Sequence, residues 1–122
     1  MLIERIDHVQ FAMPVGAEGR AREFYQGVLG IPEVLKPAQM AKRGGCWFER
    51  GELKVHLGAE AEFRAARKAH PAFRVTGLQL LTDKLNSLGY PLRSDEPVAG
   101  RARIQGEDPF GNRIEFMEAH VD

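Results

Sequence analysis

Leu29-Gly30-Ile31-Pro32 and Leu88-Gly89-Tyr90-Pro91 lie 59 residues apart, and each closes an apolar stripe of helical spacing. The first stripe is Ala21, Phe24, Tyr25, Val28 and Leu29; the second is Leu78, Leu81, Leu85 and Leu88. In both, the glycine supplies the stop and a proline two residues later forbids a restart. Upstream of the first stripe, Val9, Phe11 and Met13 alternate with His8, Gln10 and Ala12, which predicts a strand from Ile6 to Met13. Upstream of the second, Phe73 and Val75 alternate with His70, Ala72 and Arg74, which predicts a strand from His70 to Val75. Downstream, short strands are expected at Glu33 to Lys36, Gly45 to Glu49 and Glu52 to Gly58, and again at Leu92 to Ser94, Arg101 to Gly106 and Asn112 to Glu118. Turn chemistry at Arg50-Gly51 and at Asp108-Pro109-Phe110-Gly111-Asn112 separates neighbouring strands, and Pro37 to Arg43 reads as a loop.

Each half therefore reads strand, helix, strand, strand, strand, which is an internal repeat. The expected fold is α+β: two tandem βαβββ modules forming curved mixed sheets around an open groove, with the helices on the outer side. The 122 residues form one domain on this reading, with repeat 1 at about 1–59, a charged linker at about 60–69 and repeat 2 at about 70–122. Seventeen basic and seventeen acidic side chains cancel, so net charge offers no attraction for nucleic acid or an anionic membrane. A lone cysteine, Cys46, excludes an internal disulfide and a cysteine zinc cluster, and suits a reducing compartment. Charge appears at once in Met1-Leu2-Ile3-Glu4-Arg5, and no apolar run nears the roughly 18 residues of a spanning helix. A soluble, cytoplasmic protein is expected.

Alternation also sorts the polar side chains. Lys54, His56 and Gly58 oppose Leu53, Val55 and Leu57, while Arg113, Glu115 and Met117 oppose Ile114 and Phe116. His8, His56, His70 and Glu115 thus fall in the polar phase of their strands, turned away from the helices. Imidazole and carboxylate together suit iron, manganese, nickel, cobalt or zinc and leave positions open for a substrate. Any one strand histidine is more often a polar group lining a wet groove; four coincident positions in two repeats favour a metal site.

Ile6-Asp7-His8-Val9, Phe24-Tyr25 through Val28-Leu29-Gly30, His70-Pro71-Ala72-Phe73-Arg74-Val75 and Asp108 through Glu115 together resemble the vicinal oxygen chelate superfamily. That superfamily includes glyoxalase I, bleomycin-resistance proteins, fosfomycin-resistance thiol transferases, methylmalonyl-CoA epimerase and extradiol dioxygenases. The resemblance implies one divalent metal per site, with ligand positions at His8 and His56 in the first repeat and His70 and Glu115 in the second. Relatives with three ligands use the positions of His8, His70 and Glu115. Glyoxalase I resemblance would call for a carboxylate at His56, so its activity proper is discounted, and His56 is either ligand or base. The implied function is a metal-dependent lyase, isomerase, thiol transferase or dioxygenase in which His56 and Glu115 are the catalytic candidates. The alternative is a bleomycin-resistance-like protein that binds a small molecule without catalysis.

Arg93, Arg101 and Arg103, on expected strands of the second half, are candidate contacts for an anionic substrate, or else solvated surface residues. Arg64, Arg67 and Lys68 precede His70 and are either a solvated linker or a cover for the site. Trp47, Tyr90 and Tyr25 read as packing residues, Cys46 as a small buried one, and His120 carries no weight. Open curved sheets leave edges to cover, so a homodimer is expected, in agreement with the resemblance.

Overall fold

The alternating and helical stripes assemble, in the computed structural model, into two four-stranded sheets; residues 1–119 are described, which leaves His120 outside. Two compact units divide at Arg64 and Ala65.

In the first unit β1 (Val9–Pro14) is followed by a short helix, α1 (Glu18–Ala21), that continues as a π-helix over Arg22–Val28. Strands β2 (Glu33–Val34), β3 (Cys46–Arg50) and β4 (Leu53–Glu60) complete the sheet in the order β1-β4-β3-β2, with β1 parallel to β4 and the other pairs antiparallel. The helical stripe builds the core: Ala21, Phe24, Tyr25 and Val28 are buried with Phe11, Met13, Phe48, Val55 and Leu57. Tyr25 is its hub, with ring centroids of Phe24, Phe48 and Phe11 at 5.0, 5.6 and 5.7 Å, pairs worth about 0.5–1.5 kcal/mol each beyond the area they bury.

The second unit repeats the plan with β5 (Ala72–Val75), α2 (Leu78–Ser87), β6 (Leu92–Val98), β7 (Arg101–Glu107) and β8 (Arg113–Glu118). Its order is β5-β8-β7-β6, again with a single parallel pair, β5 and β8. Leu78 and Leu85 of α2 are buried with Ile104, Ile114 and Phe116. Gly30 and Gly89, the two stops read from sequence, adopt φ of 73° and 82°, the left-handed region in which a side chain is strained.

Several expectations are corrected. The first strand of each module starts later than alternation suggests, at Val9 and Ala72, so His8 and His70 stand before their strands and are exposed. Pro37 to Arg43 is not plain loop, because Ala38–Arg43 winds into a 3₁₀ helix. Leu88 ends the second stripe half exposed, and β6 runs on to Val98, past the expected end at Ser94.

Candidate functional site

His56 lies in the middle of β4, level with Gln10 of β1 and Trp47 of β3. Its ring is sandwiched: the Trp47 indole is parallel to it within 3° at 4.0 Å, and the His8 ring stacks at 4.4 Å. Only 5% of His56 is exposed, and its Nε2 meets Glu49 Oε2 at 2.8 Å. A carboxylate can only accept, so Nε2 carries the proton and the neutral ring keeps its lone pair at Nδ1. Glu49 escaped the sequence reading because strand alternation compares residues on one strand, whereas this contact crosses from β3 to β4.

His8 is held differently. Its Nδ1 donates to Asp7 Oδ2 at 3.0 Å, which leaves Nε2 with a bare lone pair in the neutral ring. The His8 hydrogen bond, helped by the Lys54 charge, holds the Asp7 carboxyl below its ordinary value.

The second unit carries the counterpart. His70 Nδ1 donates to the Lys68 carbonyl at 2.8 Å, and its Nε2 faces Glu115 Oε1 at 3.4 Å. That separation exceeds a normal N–H···O bond, and two lone-pair atoms face each other comfortably only with a cation or a second ring proton between them. Glu115 is 5% exposed and lies level with Ala72 and Gln105. Its Oε1 also accepts from Gln105 Nε2 at 3.0 Å and Arg103 Nη1 at 3.1 Å. Burial alone would raise the Glu115 carboxyl, yet the contacts from Gln105, His70 and Arg103 outweigh it and hold the group below its ordinary value.

The four candidate ligands therefore occur as two pairs, His8 with His56 and His70 with Glu115, each within its own module. Among the described residues no three His, Cys, Asp or Glu side chains gather into one metal-binding group. The donor chemistry of the pairs nonetheless fits a metal: His8 and His70 both tie Nδ1 to an acceptor, the arrangement found behind metal-bound imidazoles, and in His70 the other nitrogen faces a carboxylate.

The arginines separate. Arg103 bonds Glu115, lies 3.3 Å from Asp95 and donates to the Glu96 carbonyl at 2.7 Å, so it serves as an internal counter-ion. Arg101 has a buried Nε with no hydrogen-bond partner among the described residues. Arg93 is exposed on β6, level with Gln105. Cys46 is buried and its thiol is pushed up to about 11, chiefly by burial, so it is no nucleophile at neutral pH.

Against known proteins, residues 5–116 match the sequence profile of the Glyoxalase/Bleomycin resistance protein/Dioxygenase superfamily. A Bacillus anthracis crystal structure described as a glyoxalase family protein is 44% identical, with a TM-score of 0.92 and 98% of each chain covered. The fosfomycin resistance protein FosX from Listeria monocytogenes superposes with a TM-score of 0.77 at 14% identity, covering 98% of this chain and 97% of that one. An integron cassette protein from Vibrio cholerae does so at 0.72 and 22%, covering 98% of each. At these lower identities the likeness is one of fold. No protein with a curated description matches.

Proposed function

Because the chain belongs to the glyoxalase/bleomycin resistance protein/dioxygenase superfamily, we propose that it is a divalent-metal-dependent enzyme acting on a small, oxygen-rich, anionic substrate. The observation that carries this reading is the shared orientation of His8 and His70, each with Nδ1 spent on an acceptor, and the turning of His70 Nε2 toward the buried, ionised Glu115. His8 in the first unit, and His70 with Glu115 in the second, are the proposed ligands for iron, manganese, nickel, cobalt or zinc. When bound, the metal supplies a Lewis acid that chelates neighbouring oxygens on the substrate and stabilises charge developing there.

His56 has the features of a base rather than a ligand. Glu49 fixes its ring and its Nε2 proton, and Nδ1 is then the atom that takes a proton from the substrate. Trp47 covers one face of the ring and excludes water from it. Arg103 and Gln105 hold the Glu115 carboxylate in one orientation. A base beside an oxygen-chelating centre suits lyase, isomerase or thiol-addition chemistry better than oxygenative cleavage. A cytoplasmic homodimer is part of the same proposal, and among the described residues no helix is long and apolar enough to cross a membrane.

Elemental mass spectrometry on protein purified without chelator or affinity tag tests the proposal. About one divalent transition metal per chain is expected, and His8→Ala should lose it. Metal-free protein that also refuses reconstitution would overturn the enzyme reading in favour of a binding protein. Glu49→Gln separates base from ligand: turnover should fall about 10- to 100-fold with metal content unchanged. A parallel loss of metal in that variant would instead make His56 a ligand.

A further inference from the structure

Arg67, Arg93 and Arg113 line one cleft of about 370 Å³ in the second unit, together with Gln105, Glu107 and Gly111. The sequence grouped Arg93 with Arg101 and Arg103, but the fold gives it other companions. Arg113 donates its Nε to Gln105 Oε1 at 3.1 Å. Arg67 is brought alongside by two bonds of its neighbour Ala66, whose carbonyl accepts from Arg113 N at 2.8 Å and whose N–H donates to Asn112 Oδ1 at 3.0 Å. Asn112 is in turn locked to Asp108 through both its backbone N–H and its side-chain amide, each at 2.9 Å. The cleft is therefore set by the β7–β8 turn and does not depend on a free linker.

Among the described residues Arg67 and Arg93 make no hydrogen bond or ion pair, and the Arg113 side chain bonds only Gln105. Glu107 also lines the cleft, yet none of the three guanidiniums lies within ion-pair distance of it. Three cations lining a cleft with one carboxylate that pairs with none of them leave a net positive charge, and their planar forks suit an oxyanion.

We propose that this cleft binds the oxyanion terminus of the substrate, a carboxylate or a phosphoryl group. Its placement rests on the function proposed above, because Gln105 links the cleft to the candidate ligand: its Oε1 accepts from Arg113 while its Nε2 donates to Glu115. Glu115, Gln105 and Arg93 form one row across β8, β7 and β6, so Glu115 and Arg93 are about 10 Å apart along the sheet, two strand spacings. The substrate class that follows is a small acid with its reacting oxygens at one end and its anionic group a few bonds away.

Calorimetric titration of chelator-treated full-length protein, at low ionic strength, with inorganic phosphate and separately with malonate tests the cleft without any metal. One saturable site per chain is expected for at least one anion, weakened at least tenfold in the Arg67→Gln/Arg93→Gln double variant and unchanged in Arg43→Gln. Preference for malonate assigns a carboxylate substrate, and preference for phosphate a phosphoryl one. Equal binding by both variants, or no saturable binding of either anion, overturns the proposal. Nickel titration of the same proteins keeps the two readings apart: the double variant should bind metal as the parent does. A parent that binds anion but no metal would defeat the enzyme reading and leave the anion site standing.

Discussion

Glu115→Gln is expected to lower divalent-metal affinity about 10²- to 10³-fold while the protein stays folded. The amide keeps an oxygen where Oε1 now accepts from Gln105 and Arg103, so neither donor is stranded. Arg103 also retains Asp95 at 3.3 Å and the Glu96 carbonyl. What the substitution removes is the charge, and deleting one partner of a buried charge pair typically costs about 3–5 kcal/mol, which overlaps the roughly 3–4 kcal/mol that this loss of affinity represents. Isothermal titration with manganese or nickel reads the loss, and circular dichroism checks the fold. Parent-like affinity in the variant would remove Glu115 from the ligand set.

Gly45→Ala should cost about 4 kcal/mol or more, a large share of the roughly 5–15 kcal/mol that stabilises a typical domain. Gly45 has φ of 84°, and an added Cβ would stand 2.0 Å from the Leu57 carbonyl oxygen, which is backbone and has nowhere to go. Relief requires β3 to back away from β4, which breaks the ladder that begins at Cys46–Leu57 and separates Trp47 from His56. Gly51→Ala is the internal control. With φ of 59° and nothing within 4 Å of its added Cβ, it should cost only about 1–2 kcal/mol. Urea unfolding of the two variants side by side measures the difference, and equal midpoints would contradict the close approach at Gly45.

The repeat was legible because its punctuation is local: Gly30 and Gly89, each followed by proline, needed no knowledge of distant contacts. His56 and Glu115 were legible for a similar reason, since a two-residue period on one strand assigns a face. The same period misplaced His8 and His70 on strands, because pairing, not alternation, defines where a strand begins, and the parallel ladders start at Val9–Val55 and Ala72–Glu115. The π-helix was equally hidden. Its apolar spacing through Val28 is that of an α-helix, and only the bond from Leu29 N to Phe24 O, five residues back, reveals the extra residue. Glu49, Gln105 and the convergence of Arg67 with Arg93 and Arg113 depend on register between strands or on how a turn pins a neighbouring segment. Nothing in the residues' own surroundings in the chain encodes that.

Trp47 is the only tryptophan of the chain, and it lies flat against His56. An excited indole gives up an electron to a contacting imidazolium far more readily than to a neutral imidazole, so the intrinsic emission is coupled to the charge on His56. The molecule thus carries an optical reporter at the proposed base. Events at that ring can be followed by fluorescence without a label, and before any substrate has been identified.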